Sequence, residues 1–596
     1  MEKMNQQATP PRRDHTANSK EKLSRREDDI RIKEEYYSGQ SCEVLYRPDP
    51  GDERAGVEIG GYLTFKHELD QREEIVFGDI LVNRDVAIPL RDGTTIYADI
   101  FRPVDKQTGL GAIVNWGFYG KGNYQIEQEW HVLGVPEGTI SNLQKFEAAD
   151  PAFWCRNGYA VVNVDGRGAG QSEGNVCLWG EQDGRDGYDA IEWLAKQYWS
   201  NGRVGLFGNS ALAMCQWWIA AEQPPHLSCI APWEGTSDIY REFIGEGGIP
   251  HPAFSNMVMS KVRSFDGGHI EDLVNMMEEY PLMNAYWEAK IPRFEKIEVP
   301  AYICAGSLHI HVRGSINAFR KISSTKKWLR IHREHEWTDD YQYLDDLKKF
   351  FDRYLRDIRN GWELTPPVRM ELMDAFNYDY QTCRPENEFP LARTQYKKLY
   401  LNAADQSLQW QPAATAASVK YDSEKGSTTF DIKFEEDVEI TGYMKLHTFV
   451  AAESHDEMDM IVHIEKLDEN GNLLPLNGLG VNGPEPGAWG MMRVSHRELD
   501  EELSTDIQPV QAHRREQKLT PGEIVPVDIE IFPHGRIWHK GQILRLEFKG
   551  QYARLYCPYA TNNKGNHIIY AGGEYDSYLQ IPIIPPKYQA GDYIYR

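Results

Sequence analysis

VGLFGNSALA, residues 204–213, is the stretch whose reading decides the fold. Val204 to Phe207 is a short apolar run of buried-strand length. It passes through Gly208-Asn209-Ser210 straight into Ala211-Leu212-Ala213-Met214-Cys215-Gln216-Trp217-Trp218, which reads as the start of a helix. A serine on a sharp strand-to-helix turn is the nucleophile-elbow pattern: small neighbours let the backbone kink, so Oγ stands clear of the sheet. Helix amides beside it can then stabilise an oxyanion. The match to G-x-S-x-G is incomplete, because Leu212 stands at the second glycine and the next small residue is Ala213. The alternative is a serine that merely N-caps an ordinary helix. This stretch alone does not separate the two.

Working outward, 596 residues exceed what one core can organise and predict two or three domains. With 41% hydrophobic and 12% aromatic residues the chain can bury large cores. The net charge of −25 argues against nucleic acid or an anionic membrane surface as partner, since both attract basic proteins. Cysteines 42, 155, 177, 215, 229, 304, 383 and 557 are scattered without C-x-x-C pairs, which favours buried thiols over disulfides or a zinc framework. The polar N-terminus has no apolar signal core and no run approaches membrane-spanning length, so the expected location is cytoplasmic.

Residues 1–74 read as a charged N-terminal arm followed by a tyrosine-bearing extension; the arm is the candidate element for homo-oligomer formation. From residue 75 the pattern is regular. Alternating segments flank the turn Arg91-Asp92-Gly93 and read as a hairpin. Short buried strands are predicted at Ala112 to Trp116, Tyr159 to Val164, Leu227 to Ala231, Ala301 to Ala305 and Trp328 to Ile331, with a helix from Asp186 to Gln197. Strands alternating with helices predict a parallel sheet covered on both faces, with working residues at the carboxyl ends of its strands. Asp183, Asp186 and Asp189 read as the solvated face and first turn of a helix. Gly166 to Gly174 lacks the placement of a dinucleotide fingerprint, and Arg167 there is expected to pair with an acid. Residues 236–298 interrupt the sheet with a helical insert carrying Met257, Met259, Met276 and Met277 as packing residues. The sheet resumes over 299–365. Beyond Pro366-Pro367, residues 366–596 form many short alternating segments, the pattern of an antiparallel sandwich or jelly roll. The fold class is therefore α/β: an α/β-hydrolase fold with an inserted helical cap and a C-terminal β jelly-roll domain.

TTIYADIFRP, a Tyr-Gly-Lys segment, DGRGAGQSEG, a helix ending at Trp199, GLFGNSALA, PPHLSCIAPWEG and VPAYICAG succeed one another in this order. The series resembles the cocaine esterase/X-Pro dipeptidyl-peptidase family of serine hydrolases over roughly residues 75–585. The resemblance implies that Ser210 is the nucleophile. It implies that the Tyr119 hydroxyl and the Ala211 amide form the oxyanion hole, with Ala211 standing where the family commonly has an aromatic residue. An alanine there implies a wider pocket.

A serine hydroxyl needs a base to take its proton, and that base needs an acid to hold it. The candidate bases come after the last predicted strand: His332 directly, and His335 in the loop, the latter preferred. Each could instead be a salt-bridged or hydrogen-bonded structural histidine. The family places its acid shortly after the strand ending in Ile303-Cys304-Ala305, but this chain has His309 there, and a histidine cannot supply the negative charge. Glu234, in Trp233-Glu234-Gly235 at the end of the preceding strand, is the replacement candidate, with a helix cap as its bland alternative. His309, His311 and Trp233 are pocket candidates. No third ligand at fitting spacing joins His309 and His311, so no metal or other cofactor is expected. The sequence thus predicts a serine hydrolase acting on an ester or amide of a small, apolar molecule through an acyl-enzyme, an esterase or acylase before a dipeptidyl-peptidase. The alternatives are a carbon–carbon or other non-hydrolytic step on a carbonyl compound, supported by the missing aspartate, and a non-catalytic binding protein.

Overall fold

The computed structural model describes residues 28–49, 68–122, 134–264, 267–307, 309–376, 378–477, 484–485, 487–554 and 557–586. The arm through residue 27, the candidate for self-association, lies outside them. The first described element is a hairpin: β1 (Ile30–Glu35) pairs antiparallel with β2 (Ser41–Pro48), Ile30 opposite Tyr46.

The central sheet is built from β3 (Glu73–Val76), β4 (Ile80–Pro89), β5 (Thr95–Pro103), β6 (Leu110–Gly117), β7 (Ala160–Asp165), β8 (Ser200–Asn209) and β9 (Leu227–Trp233). The insert contributes a separate strand, β10 (His269–Glu271), and beyond it the sheet continues with β11 (Ala301–Gly306), β12 (Lys327–His332) and β13 (Val368–Ala375). The order across the sheet is β3-β4-β5-β7-β6-β8-β9-β11-β12-β13; pairing is antiparallel up to β5–β7 and parallel from β7 onward. Every residue of β6, β7 and β11 is buried, so these strands read as continuous apolar runs rather than alternating ones. Alternation survives in which core each side chain enters. Leu206 joins the core beneath the helix Ala211–Ala221, whereas its neighbour Phe207 joins the opposite core with Phe350 and Phe351 of the helix Leu344–Leu355. Two covered faces make this an α/β-hydrolase sheet, and they put the strand ends at one rim. β13 lies beyond Pro366-Pro367, so the hydrolase sheet runs past the boundary expected there: Leu329 pairs with Val368 in parallel.

The aspartates of the helix Glu181–Ala195 depart from expectation. Asp183 and Asp186 are buried, not solvated. Arg167 Nε and Nη2 hold Asp186 at 2.7 and 2.8 Å, whereas Asp183 receives only the Trp116 indole N–H, at 3.2 Å. Burial pushes the Asp183 carboxyl up to about 7, against the Trp116 hydrogen bond, which favours its charge. A carboxyl raised in the folded state binds its proton more tightly there than when unfolded. Its stabilising contribution is complete below the unfolded value near 4 and is lost as pH rises through about 7. Asp183→Asn removes this dependence. The thermal midpoint of the variant, relative to wild type, is expected to climb between pH 5 and 8, with a stability difference on the order of 4 kcal/mol at the upper end. A midpoint difference that stays flat over this range contradicts it.

Residues between β9 and β11 form short helices, Pro252–Met259, Leu273–Glu279 and Ala285–Ala289, besides β10. β10 pairs antiparallel with β2, His269 opposite Pro48, so the N-terminal hairpin lies on the body and completes a small sheet with the insert. Met257, Met259, Met276 and Met277 are all buried packing residues. Beyond β13 the described chain is almost wholly β. The long strands Val438–Ala452 and Val525–Trp538 pair antiparallel, and Ser427–Lys433, Ile543–Lys549 and Asp459–Leu467 form a second antiparallel set. Ile440, Leu446 and Ile529 of the first set meet Phe430, Val462 and Phe548 of the second in one apolar core. All eight cysteines are free, and no helix among the described residues is long and apolar enough to cross a membrane.

Candidate active site

Ser210 ends β8 with φ 51° and ψ −116°, a conformation costly for any side-chain-bearing residue. Its amide donates to Trp233 O at 3.0 Å and its carbonyl accepts from Met214 N at 3.0 Å, which locks the turn at both ends. The side chain makes no capping hydrogen bond to the helix it precedes. The cap reading is not met, since Oγ is not spent on the helix, and the strained backbone has the sharp strand-to-helix turn of an elbow. Gly208 is required two residues earlier, because a Cβ there would lie 2.4 Å from Leu212 Cβ. Leu212 itself, in the place of the second glycine, is tolerated because it lies over Gly117 of β6; a Cβ on Gly117 would be 3.0 Å from Leu212 Cδ1.

Tyr119 comes just after β6 and is buried between Phe118 and Phe146, with ring centroids 5.4 and 5.5 Å away. Ala211 opens the helix and is buried; Trp179 donates its indole N–H to the Ala211 carbonyl at 3.1 Å. Glu147, which nothing in the sequence singled out, lies here too. Its carbonyl accepts from Asn209 N at 3.0 Å, and its backbone is held at φ 58°. Burial pushes its carboxyl up to about 8, opposed by Lys261, Trp337 and the Ala211 amide. An acid thus faces the amide expected to hold an oxyanion. Nothing in KFEAAD marks that glutamate, because only the folded loop carries it to the elbow.

The two candidate bases separate clearly. His332, the last residue of β12, presents Nε2 to Glu234 Oε1 at 2.5 Å and Nδ1 to Asp339 Oδ1 at 3.5 Å. Burial opposes its charge, but Asp339 and Glu234 together push it up to about 9. Asp339 is in turn gripped by both terminal nitrogens of Arg330. His335 N-caps the helix Glu336–Gln342, its Nδ1 accepting from Trp337 N at 3.2 Å. Burial pushes it down to about 4, so it is neutral near pH 7. Glu234 sits at φ 59° where β9 ends, its amide on Cys304 O at 3.1 Å. Its Oε2 accepts from Gly306 N at 2.8 Å, and a Cβ on Gly306 would be 3.2 Å from both carboxylate oxygens. Burial alone would raise this carboxyl, yet His332, His309 and the Gly306 amide hold it below its usual range. The acid expected for the preferred base is hydrogen-bonded to the other histidine; it reaches His335 only through its charge.

His309, at the family's aspartate position, lies between two carboxylates: Nδ1 is 3.8 Å from Glu234 Oε2 and Nε2 is 3.2 Å from Glu336 Oε2. The His311 ring lies beside it, centroids 4.3 Å apart and planes tilted by 38°, with Nδ1 3.9 Å from the same Glu336 oxygen. One ligand atom each from Glu234, His309 and His311 lies within 4.8 Å of the others, so a carboxylate that local spacing did not offer reaches the two histidines from another strand. Trp233, expected to line the pocket, is instead core: its ring packs against Phe207 and Tyr302 at 5.5 and 5.3 Å. Only its carbonyl serves the elbow.

Comparison with known proteins bears on the family and the fold. Residues 92–265 match the model of the X-Pro dipeptidyl-peptidase (S15 family), and residues 360–580 match that of the X-Pro dipeptidyl-peptidase C-terminal non-catalytic domain. Cocaine esterase from Rhodococcus sp. (strain MB1 Bresler) is 31% identical over 391 residues, covering 55% of this chain and 64% of the esterase, just under two thirds of its length. A crystal structure of a CocE/NonD family hydrolase from Staphylococcus aureus is 35% identical with a TM-score of 0.81, covering 89% of this chain and 99% of that one. An α-amino acid ester hydrolase shares the fold at 15% identity and a TM-score of 0.63. The mixed sheet and the all-β C-terminal region are thus those of a known lineage, and the chain belongs to the CocE/NonD, X-Pro dipeptidyl-peptidase-type family of hydrolases.

Proposed function

We propose that this protein is a serine hydrolase that cleaves an ester or amide bond of a small, apolar acyl substrate through an acyl-enzyme. The observation that carries the reading is the strained, uncapped Ser210 at the head of a buried helix. Ser210 Oγ attacks the carbonyl carbon while His335 takes its proton; the Tyr119 hydroxyl and the Ala211 amide hold the oxyanion. The proton returns from His335 to the departing alcohol or amine, and water then releases the acyl group by the same route. His332 is unsuited to this work because both its nitrogens face carboxylates and it already carries a proton. His335 is neutral, and using Nε2 as the base requires a proton on Nδ1 in place of the Trp337 contact; the Glu234 charge favours the imidazolium that then forms. An apolar acyl group is supported by a chain of rings from the oxyanion strand to the insert: Phe118 against Trp179 at 5.3 Å, and Trp179 against Phe243 at 5.1 Å.

Initial rates on p-nitrophenyl esters of increasing acyl length, set beside X-Pro-p-nitroanilides, test the substrate class. Esters are expected to win by about a hundredfold or more in kcat/KM, with the optimum beyond acetyl. A preference for the X-Pro amides removes the esterase reading. One observation favours a second reading, a proton-transfer or carbon–carbon step on a carbonyl substrate: the Glu147 acid that draws on the Ala211 amide could donate its proton to a developing enolate. Activity that survives Ser210→Ala but not Glu147→Gln would select it.

A further inference from the structure

We propose that His309, His311 and Glu336 bind a divalent transition-metal ion of the zinc class, with Glu234 orienting His309 from behind. The donor atoms are already gathered. Glu336 Oε2 lies 3.2 Å from His309 Nε2 and 3.9 Å from His311 Nδ1. A tetrahedral ion with bonds of about 2.0–2.2 Å holds its donors about 3.3–3.5 Å apart, so these two separations already lie within some tenths of an ångström of that spacing.

Two of these atoms have nothing else to do. His311 Nδ1 and Glu336 Oε2 are buried and have no hydrogen-bond partner. A buried orphan of this kind costs about 1–3 kcal/mol, which a bound ion would relieve at both atoms. His309 meets a carboxylate at each ring nitrogen. With Nε2 on the ion, a proton on Nδ1 would face Glu234 Oε2, 3.8 Å away, in place of the His311 amide from which Nδ1 now accepts at 3.4 Å, and the carboxylate would then orient the ligand.

The charge balance points the same way. Glu147, Glu234, Glu336, Asp339 and Asp340 are all buried around this spot. Arg330 compensates Asp339, and the His332 imidazolium compensates Glu234. Glu336 is buried with the carboxylates of Glu147, Glu234 and Asp340 near it and the Lys261 ammonium as an opposing charge. A dication there offsets both the repulsion and the burial. Two imidazoles with one carboxylate suit zinc-like ions better than the all-oxygen-seeking Ca²⁺ and Mg²⁺ or the thiol-seeking Cu⁺.

The full chain, stripped with a chelator and desalted, would be incubated with Zn²⁺ alone and its retained metal counted by plasma mass spectrometry. About one ion per chain is expected. His311→Ala and Glu336→Gln should each lower retention at least tenfold, whereas His226→Gln, which alters a surface histidine paired with Glu192, should not. Co²⁺ added to the stripped wild type should give visible d–d bands without thiolate charge transfer, a readout that does not depend on any variant folding. Retention far below one ion, equal retention in His311→Ala, or a thiolate band indicating cysteine ligation would each overturn the proposal. None of these results depends on whether Ser210 is the nucleophile.

Discussion

Ser210→Ala is expected to abolish fluorophosphonate labelling and to lower kcat on the best ester by about four orders of magnitude or more, with the thermal midpoint unchanged or raised. The size reflects what the hydroxyl does: without it no acyl-enzyme forms, and only the oxyanion donors and substrate binding remain. The fold should survive because Ser210 Oγ makes no capping hydrogen bond, so its removal leaves no helix amide newly orphaned. Alanine must still adopt φ 51°, as serine does, so the backbone strain is common to both proteins. Labelling that persists in the variant, or turnover within tenfold of wild type, would place the nucleophile elsewhere.

The two histidines should fail in different ways. His335→Ala is expected to cost about a thousandfold or more in kcat while the protein stays folded, since this side chain makes one hydrogen bond, to the Trp337 amide. His332→Ala is expected to act first on stability. It strips the countercharge from Glu234, a fully buried carboxylate, and the loss of one member of such a pair costs about 3–5 kcal/mol. Its effect on kcat should be secondary, and Glu234→Gln combined with His332→Ala should recover part of the stability, because the uncompensated charge is then gone. Melting curves and single-turnover acylation measured on the same samples separate the two effects. A His335→Ala enzyme that acylates normally, beside a stable His332→Ala enzyme that does not, would exchange the roles assigned here.

Most of the architecture could be read from residues close together in the chain. Val204–Phe207 is apolar without interruption because both faces of β8 are covered, and that pattern survives in a single sequence. The glycine at 208 and the small residues after Ser210 announced the elbow for the same local reason. What misled was charge. Asp183 and Asp186 fall on a helix whose acidic residues look solvated, yet Arg167 and Trp116, from strand ends elsewhere in the chain, cover them. Trp233 looked like a pocket residue because it adjoins Glu234, but successive residues of a strand point to opposite sides, and its ring went into the core.

By itself, then, the sequence determined the order of strands and helices, the elbow and its serine, because backbone conformation and burial of apolar runs are set by near neighbours. Tertiary structure alone decided which acid meets which histidine. Glu234, His309, His332 and Glu336 come from three different strand ends and a helix, and the charge each carries depends on desolvation and on partners a few ångströms away. Such distances are created only when the sheet closes, so no local reading of the chain contains them.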